Sequence, residues 1–424
     1  VRITFVVHQF PPRYFTGTEQ YALGIGRELQ RLGHDVDVFC LEPAFGEATG
    51  PWRESREVVD GLPVRRINFW MNVGADWARM EYRHPLMAET FGRHVRERGT
   101  EVVHSFHLRH VGADLLDQAR LARIPTVVSL TDFWFLCPRV ILMRGDGAAC
   151  DGPPDGGRGC LPCHAPDLAR QLAERPSDPN LAARAAAHLE RRPYLLQHLR
   201  AADALLAPTR FLTDVFLRNG APSDRLHHRS YGVETAALAA IATHPRPPRP
   251  PTFGFFGTFA EHKGPHVLVE AMRKVRGDCR VQLRGRTSDF ADYSAKLLAA
   301  AAADPRIEVL PPFDRDGRVA AFAAIDTLVV PSTWHENAPF VVLEARAAGL
   351  PVLASRFGGL SEVVDHERDG ELFAAGDADE LAMRIQRLLD EPERLVRYRA
   401  AVQPPKSLAQ AAEEFLADYR EVVR

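Results

Sequence analysis

The chain has 424 residues, 46% of them hydrophobic and 25% charged, more than a single core of about 250–300 residues organises, so two domains are expected. Its 53 Lys+Arg against 55 Asp+Glu leave a formal charge of −2, which excludes the basic excess that drives sequence-independent nucleic-acid binding. No apolar stretch approaches the roughly 18–20 residues of a membrane-spanning helix. The opening run is too short for a secretory leader or an anchor, so a cytoplasmic location is expected, with peripheral contact at the inner face of a membrane left open.

In chain order, Ile3–Val7 reads as a strand and Thr18 to Leu32 as an amphipathic helix closing at Gly33. Further apolar runs bounded by turn residues follow at Val36–Cys40, Val64–Ile67, Glu101–Phe106, Thr126–Leu130, Ala204–Ala207 and Leu226–Arg229. Such βαβ alternation predicts a doubly wound parallel sheet. The segment His244-Pro-Arg-Pro-Pro-Arg-Pro-Pro251 suits neither helix nor central strand and is expected to be a linker. After it the alternation resumes at Phe253–Phe256, Arg280–Arg284, Ile307–Leu310, Thr327–Val330, Val352–Ala354 and Glu371–Phe373. The expected organisation is therefore α/β throughout. It comprises a first Rossmann-like domain over 1–243, a linker at 244–251, a second such domain over 252–404, and a helix over 405–424 returning to the first. Ligands of open parallel sheets bind outside the carboxyl ends of the strands, so function is expected at a cleft where the two sheets face each other.

Three loops carry candidate chemistry. In His335-Glu-Asn-Ala-Pro-Phe-Val-Val-Leu-Glu-Ala345, Pro339 suits a helix start because its missing N–H needs no partner there. Glu336 then falls on the loop and Glu344 on the helix. Asn337, Ala338, Pro339 and Phe340 form the helix entrance, where the N–H groups of about Ala338, Phe340 and Val341 and the positive dipole end suit a phosphate. The structural alternative is an acidic first turn with Glu344 paired to an arginine. Gly257-Thr-Phe-Ala-Glu-His-Lys-Gly264 joins a strand to a helix and offers Lys263, one of four lysines in the chain, as a point charge for a diphosphate. Its order is not that of a Walker A loop. Thr16-Gly-Thr-Glu19 occupies the first strand-to-helix turn, where Gly17 and Thr18 allow close approach of a ligand. The dinucleotide pattern Gly-x-Gly-x-x-Gly is missing from that turn, which argues against a dehydrogenase.

Val102-Val-His-Ser-Phe-His107 ends a strand with histidines, of which His107 is the better placed for a sugar hydroxyl; a satisfied structural histidine is the plainer reading. Cys137, Cys150, Cys160 and Cys163 are spaced C-x12-C-x9-C-x2-C. Four thiols ending in CxxC suit a structural zinc site, with an iron–sulfur cluster or unliganded thiols as alternatives. Phe69, Trp70, Met71, Trp77, Met80, Tyr82 and Phe91 offer either an acceptor or membrane surface or core packing. Asp35-Val-Asp37 reads as strand alternation and not as a metal motif.

Together these residues resemble the retaining glycosyltransferases of the GT-B fold, family 4, across essentially the whole chain. Glu336 and Glu344 match that family's Glu-x7-Glu motif, Thr16-Gly-Thr-Glu19 its N-terminal glycine loop, Lys263 its phosphate-binding lysine, and His107 its active-site histidine. Phe357-Gly-Gly-Leu-Ser-Glu362 is similar to its glycine-rich stretch near the donor, and the cysteine array to that of a subset. Two positions depart from the pattern. Thr258 stands where an arginine is usual, leaving Arg284 or Arg286 to supply a second phosphate clamp, and Thr131 stands where the subset often has histidine.

The resemblance implies transfer of a sugar from a nucleoside diphosphate sugar to an acceptor hydroxyl, without a catalytic metal ion. Glu336, His107 and Lys263 would be catalytic, while Gly17, Thr18, Thr258, Asn337 to Phe340 and Glu344 would bind the donor. Carbohydrate, lipid-linked and small-molecule acceptors all fit. A catalytically silent nucleotide-sugar-binding protein of the same fold is the alternative.

Overall fold

The computed structural model describes residues 1–14, 16–44, 52–70, 77–243 and 249–423. Contacts divide the chain into two units, Val1–Ser230 with Leu408–Arg424, and Tyr231–Ser407. Each is an α/β unit built on a parallel sheet.

The first unit carries β1 (Arg2–Val7), β2 (Asp35–Ala44), β3 (Trp52–Val59), β4 (Leu62–Trp70), β5 (Val102–Ser105), β6 (Thr126–Ser129), β7 (Ala204–Ala207) and β8 (Leu226–His228). Their order across the sheet is β3-β4-β2-β1-β5-β6-β7-β8, all parallel except the β3–β4 pair. The sequence reading missed β3. Its inner contacts to β4 are ionic, Glu54 with Arg65 at 2.8 Å and Glu57 with Arg66, so it lacks the apolar run that marks the other strands. Asp60 and Gly61 both take positive φ and turn β3 into β4, as a two-residue hairpin requires.

The second unit carries β9 (Thr252–Phe256), β10 (Arg280–Arg284), β11 (Ile307–Leu310), β12 (Thr327–Val330), β13 (Val352–Ser355) and β14 (Gly370–Phe373), ordered β11-β10-β9-β12-β13-β14. All five neighbouring pairs are parallel. Phe253, Phe255, Val281, Leu283, Val329 and Leu353 face helices on Val267, Leu268, Leu381 and Ile385 to form its core. Strand order reverses between β1 and β5 in the first sheet and between β9 and β12 in the second. Such switch points are where open parallel sheets hold ligands.

Residues 231–243 join the second unit, not the first. Tyr231 stacks on Phe340 at 4.7 Å, Glu234 pairs with Arg318 at 2.8 Å, and Ala242 lies against Gly349. The unit boundary therefore precedes the proline-rich segment, of which 244–248 lie outside the described residues. Tyr82 and Phe91 are 1% and 0% exposed, so they pack the first core and offer no acceptor surface. Met80 packs partly buried against the same core, and Met71 lies outside the described residues. Among the described residues no helix is long and apolar enough to cross a membrane.

The helix Leu408–Val423 packs on the helix Gly17–Arg31 and closes the first core with Phe415, Leu416 and Tyr419. Asp418 holds Arg229 at 2.6 Å. Tyr419 reaches His104 on β5, its hydroxyl 2.6 Å from Nδ1, while Ser129 Oγ lies 2.8 Å from Nε2. Burial drives the His104 pKa down to about 3. Tyr419→Phe leaves one nitrogen of a buried ring unpaired, and the expected loss in urea unfolding is about 1–3 kcal/mol. His104 gains its proton only on unfolding, so wild-type stability should decline as pH falls below about 6.5, the free-histidine value. An unchanged urea midpoint in the variant would contradict this role of the C-terminal helix.

Candidate functional site

At the switch point of the second unit, the loop leaving β9 meets the loop leaving β12. Phe259 and Ala260 are fully buried and fold the first loop back on the sheet, while Gly257 N–H donates to Arg284 O at 3.0 Å. A short helical turn over Glu261–Lys263 ends at Gly264 with φ +69°. A Cβ at Gly264 would stand 1.9 Å from Pro331 O, so only glycine lets the two loops touch here. Thr333 N–H donates to His262 O at 2.9 Å across the same contact.

This closeness brings Lys263 Nζ to 2.8 Å from Glu336 Oε1, and Ser332 Oγ donates to the same oxygen at 2.8 Å. The ammonium also lies 4.6 Å from the centre of the Trp334 ring. Glu336 is 5% exposed. Burial alone would raise its pKa, but the Lys263 charge and the hydrogen bonds from Lys263, Ser332 and Trp334 outweigh that and hold it below the usual carboxylate range. The Glu336–Asn337 loop is braced from the far side by Gly358 and Gly359. Gly359 N–H donates to Glu336 O at 2.6 Å, and a Cβ there would overlap Asn337 O. His335 stacks on Phe357 at 4.3 Å.

Pro339 is extended and caps the helix Phe340–Ala347; Val342 N–H donates to Pro339 O at 3.0 Å, which leaves the Phe340 and Val341 N–H groups ahead of any intrahelical acceptor. Asn337 and Ala338 are each 7% exposed. Glu344 accepts from Arg318 Nη1 at 3.0 Å, the arginine pairing that sequence reading kept as the structural alternative. Burial raises its pKa despite Arg318. Arg318 in turn holds Glu234 at 2.8 Å, a bridge invisible in the sequence because its ends lie 84 residues apart. Thr258 follows Gly257 at the end of β9. Arg286 is paired with Asp289 at 3.0 Å, whereas Arg284 Nε is buried without a hydrogen-bond partner.

In the first unit, the structure draws together residues that motif reading kept apart. His8 follows β1 and His107 follows β5, and their ring centres are 4.2 Å apart. His107 Nε2 lies 2.8 Å from Asp132 Oδ2, and its Nδ1 accepts the Arg109 N–H at 3.2 Å. Both ring nitrogens are thereby engaged, which gives His107 the satisfied arrangement and leaves it no free nitrogen for a substrate. Gly17 and Thr18 open the helix Gly17–Arg31, where the Thr16 hydroxyl donates to the Glu19 carboxyl. Sequence reading passed over His8; its signal was its place as the first residue beyond a central strand.

Among the described residues no group of three or more His, Cys, Asp or Glu side chains is arranged to hold an ion, so the zinc expectation for Cys137, Cys150, Cys160 and Cys163 is not supported. The other three thiols do lie within electrostatic reach of Cys160, whose pKa burial and those neighbours push up to about 11. Cys137 is buried in the first core, Cys150 Sγ donates to Gly152 O at 3.2 Å, and Cys160 and Cys163 sit on the helical turn Cys160–His164. Leu161 of that turn packs against Leu168, Leu181 and Ala185.

Lys263→Met removes the cation from Glu336. With burial then dominant, the Glu336 pKa should rise above its ordinary value, so the variant should lose stability as pH rises above about 4.5. Wild type behaves oppositely, losing the Glu336 contribution only on acidification through its lowered pKa. Urea unfolding at pH 5 and pH 8 should show the variant weaker by about 1–3 kcal/mol at pH 8 than at pH 5, beyond any wild-type change. Equal pH responses would refute the dependence of Glu336 on Lys263.

Residues 16–232 match the glycosyl transferase 4-like domain, and residues 250–391 match glycosyl transferases group 1. A D-inositol 3-phosphate glycosyltransferase of Pseudarthrobacter chlorophenolicus is 38% identical over 136 residues, 31% of this chain and 32% of that protein. One from Mycolicibacterium smegmatis is 33% identical over 162 residues, 37% of each chain. The match thus spans about a third of the length of these relatives. Among solved structures, Anabaena HepE in complex with UDP aligns with TM-score 0.69 and 15% identity over 99% of this chain and 100% of that one. Sucrose-phosphate synthase from Thermosynechococcus elongatus aligns with TM-score 0.68 and 19% identity over 99% and 98%. These likenesses are of fold, and the fold is GT-B, two parallel-sheet α/β domains. With just over half of its length matched by the 4-like domain alone, the chain belongs to the glycosyl transferase 4-like family.

Proposed function

We propose that the chain moves a sugar from a nucleoside diphosphate sugar to an acceptor hydroxyl, with retention at the anomeric carbon and without a catalytic metal ion. Support comes above all from the meeting of Lys263 and Glu336 at the β9/β12 switch point, where a parallel sheet accepts a nucleotide. Glu336, kept ionised, would face the donor sugar, and Lys263 would move the short distance from carboxylate to diphosphate. The backbone N–H groups of Ala338, Phe340 and Val341 would share the leaving charge, an electrostatic arrangement built before the donor arrives. Glu344 would bind the ribose, Thr258 and Asn337 the phosphate edge, and Gly17 and Thr18 the donor from the first unit. The bond from anomeric carbon to diphosphate oxygen breaks, the acceptor oxygen bonds on the same face, and its proton passes to the leaving phosphate. His107 would contribute by orientation, since its nitrogens are already engaged.

Calorimetric titration with UDP, GDP, ADP and TDP in EDTA tests this reading. HepE has been solved with UDP and with UDP-glucose, so UDP leads the series. Wild type should bind one nucleotide tightly and indifferently to chelator. Glu344→Ala should weaken binding about tenfold or more, the size of a lost hydrogen bond to a charged group. If folded wild type binds none of the four, the transferase reading fails.

A further inference from the structure

The first unit has a switch point of its own between β1 and β5, and the side chains gathered there are unequal in their bonding. His107 is locked by Asp132 and the Arg109 N–H. His8 beside it is not. Its Nδ1 has no hydrogen-bond partner, and its Nε2 lies 3.5 Å from Glu19 Oε1, which has none either. The Glu19 side chain is wholly buried, while His8 keeps 19% of its side-chain surface exposed. Glu19 is held from behind by the Thr16 hydroxyl on its other oxygen, which aims Oε1 at the imidazole.

Unpaired polar atoms in a buried place cost stability unless something supplies the missing bonds. Burial, followed by the charges of His107, Arg109 and His110, holds His8 neutral, so one ring nitrogen donates and the other accepts. The ring packs on that of His107, and the part of the side chain that stays open to solvent is where a ligand reaches it. A hydroxyl is the group that completes this pair, since it donates and accepts at once; a carboxylate or phosphate would face Glu19 unfavourably.

We propose that His8 is the residue of the first unit that receives the acceptor hydroxyl, with Glu19 as its positioning residue. The proposal rests on the transferase reading, and it assigns to His8 the substrate contact expected of His107.

The test uses the full chain with histidines 13C-labelled at Cε1, the His8 and His107 signals being assigned as those lost in His8→Gln and His107→Gln. Glycerol, glucose and inositol are titrated in turn. At least one should shift the His8 signal saturably and more than the His107 signal, and Glu19→Leu should raise the half-saturating concentration about tenfold. A His8 signal unmoved by all three polyols, or a shift confined to His107, overturns the proposal. Unchanged half-saturation in folded Glu19→Leu overturns the role of Glu19. UDP calorimetry on the same sample separates the two levels: nucleotide binding with an indifferent His8 defeats this inference alone, and no nucleotide binding defeats the transferase reading.

Discussion

Strand order in a parallel sheet reverses at one place, and there the loops leaving two neighbouring strands turn to opposite faces and leave their ends open. Both units are organised around such a place. In the second it lies between β9 and β12, so the only short route between a cation and an acid carried 73 residues apart, Lys263 and Glu336, is across it. In the first it lies between β1 and β5 and sets His8 against His107. The tight glycine contacts follow from the same constraint, because loops that converge on one point have no room for side chains between their backbones.

Charge is distributed differently at the two switch points. In the second unit the buried acids stand beside cations: Glu336 by Lys263, Glu344 by Arg318, and Asp369 by Arg346 at 2.6 Å. Pairs of this kind are weak contributors to stability but costly to break, so they fix the position of the groups they contain. In the first unit Glu81 is served by Arg191, and Asp37 by His94 and Arg98. Glu19 differs, having a neutral imidazole as its neighbour. Glu19 Oε1 is thus left without a hydrogen bond beside acids that have cations for neighbours.

Legibility in the sequence tracked burial. Strands buried on both faces, such as Phe253–Phe256 and Thr327–Val330, announced themselves as apolar runs, and the glycine loops after them followed from their positions. Strand β3 did not, since arginine–glutamate pairs replace its apolar contacts. The proline-rich segment was conspicuous and drew the boundary to itself, while the stack of Tyr231 on Phe340 and the bridge from Glu234 to Arg318 tied 231–243 to the second unit. Cysteine spacing carried less: Cys137, Cys150 and Cys163 come within electrostatic reach of Cys160, but metal binding also requires a coordinating geometry, and no group among the described residues has one.

The amino-acid sequence by itself determined the α/β class, the two successive sheets and the loops that carry Lys263, Glu336 and Glu344, because periodic burial and turn chemistry are local properties. Only the tertiary structure decided which of those groups touch. It paired Glu344 with Arg318 and through it with Glu234, engaged both nitrogens of His107, and left His8 and Glu19 facing each other with bonds to spare. Such partnerships depend on the crossover geometry of the sheets, which joins residues dozens of positions apart and leaves no mark in the residues between them.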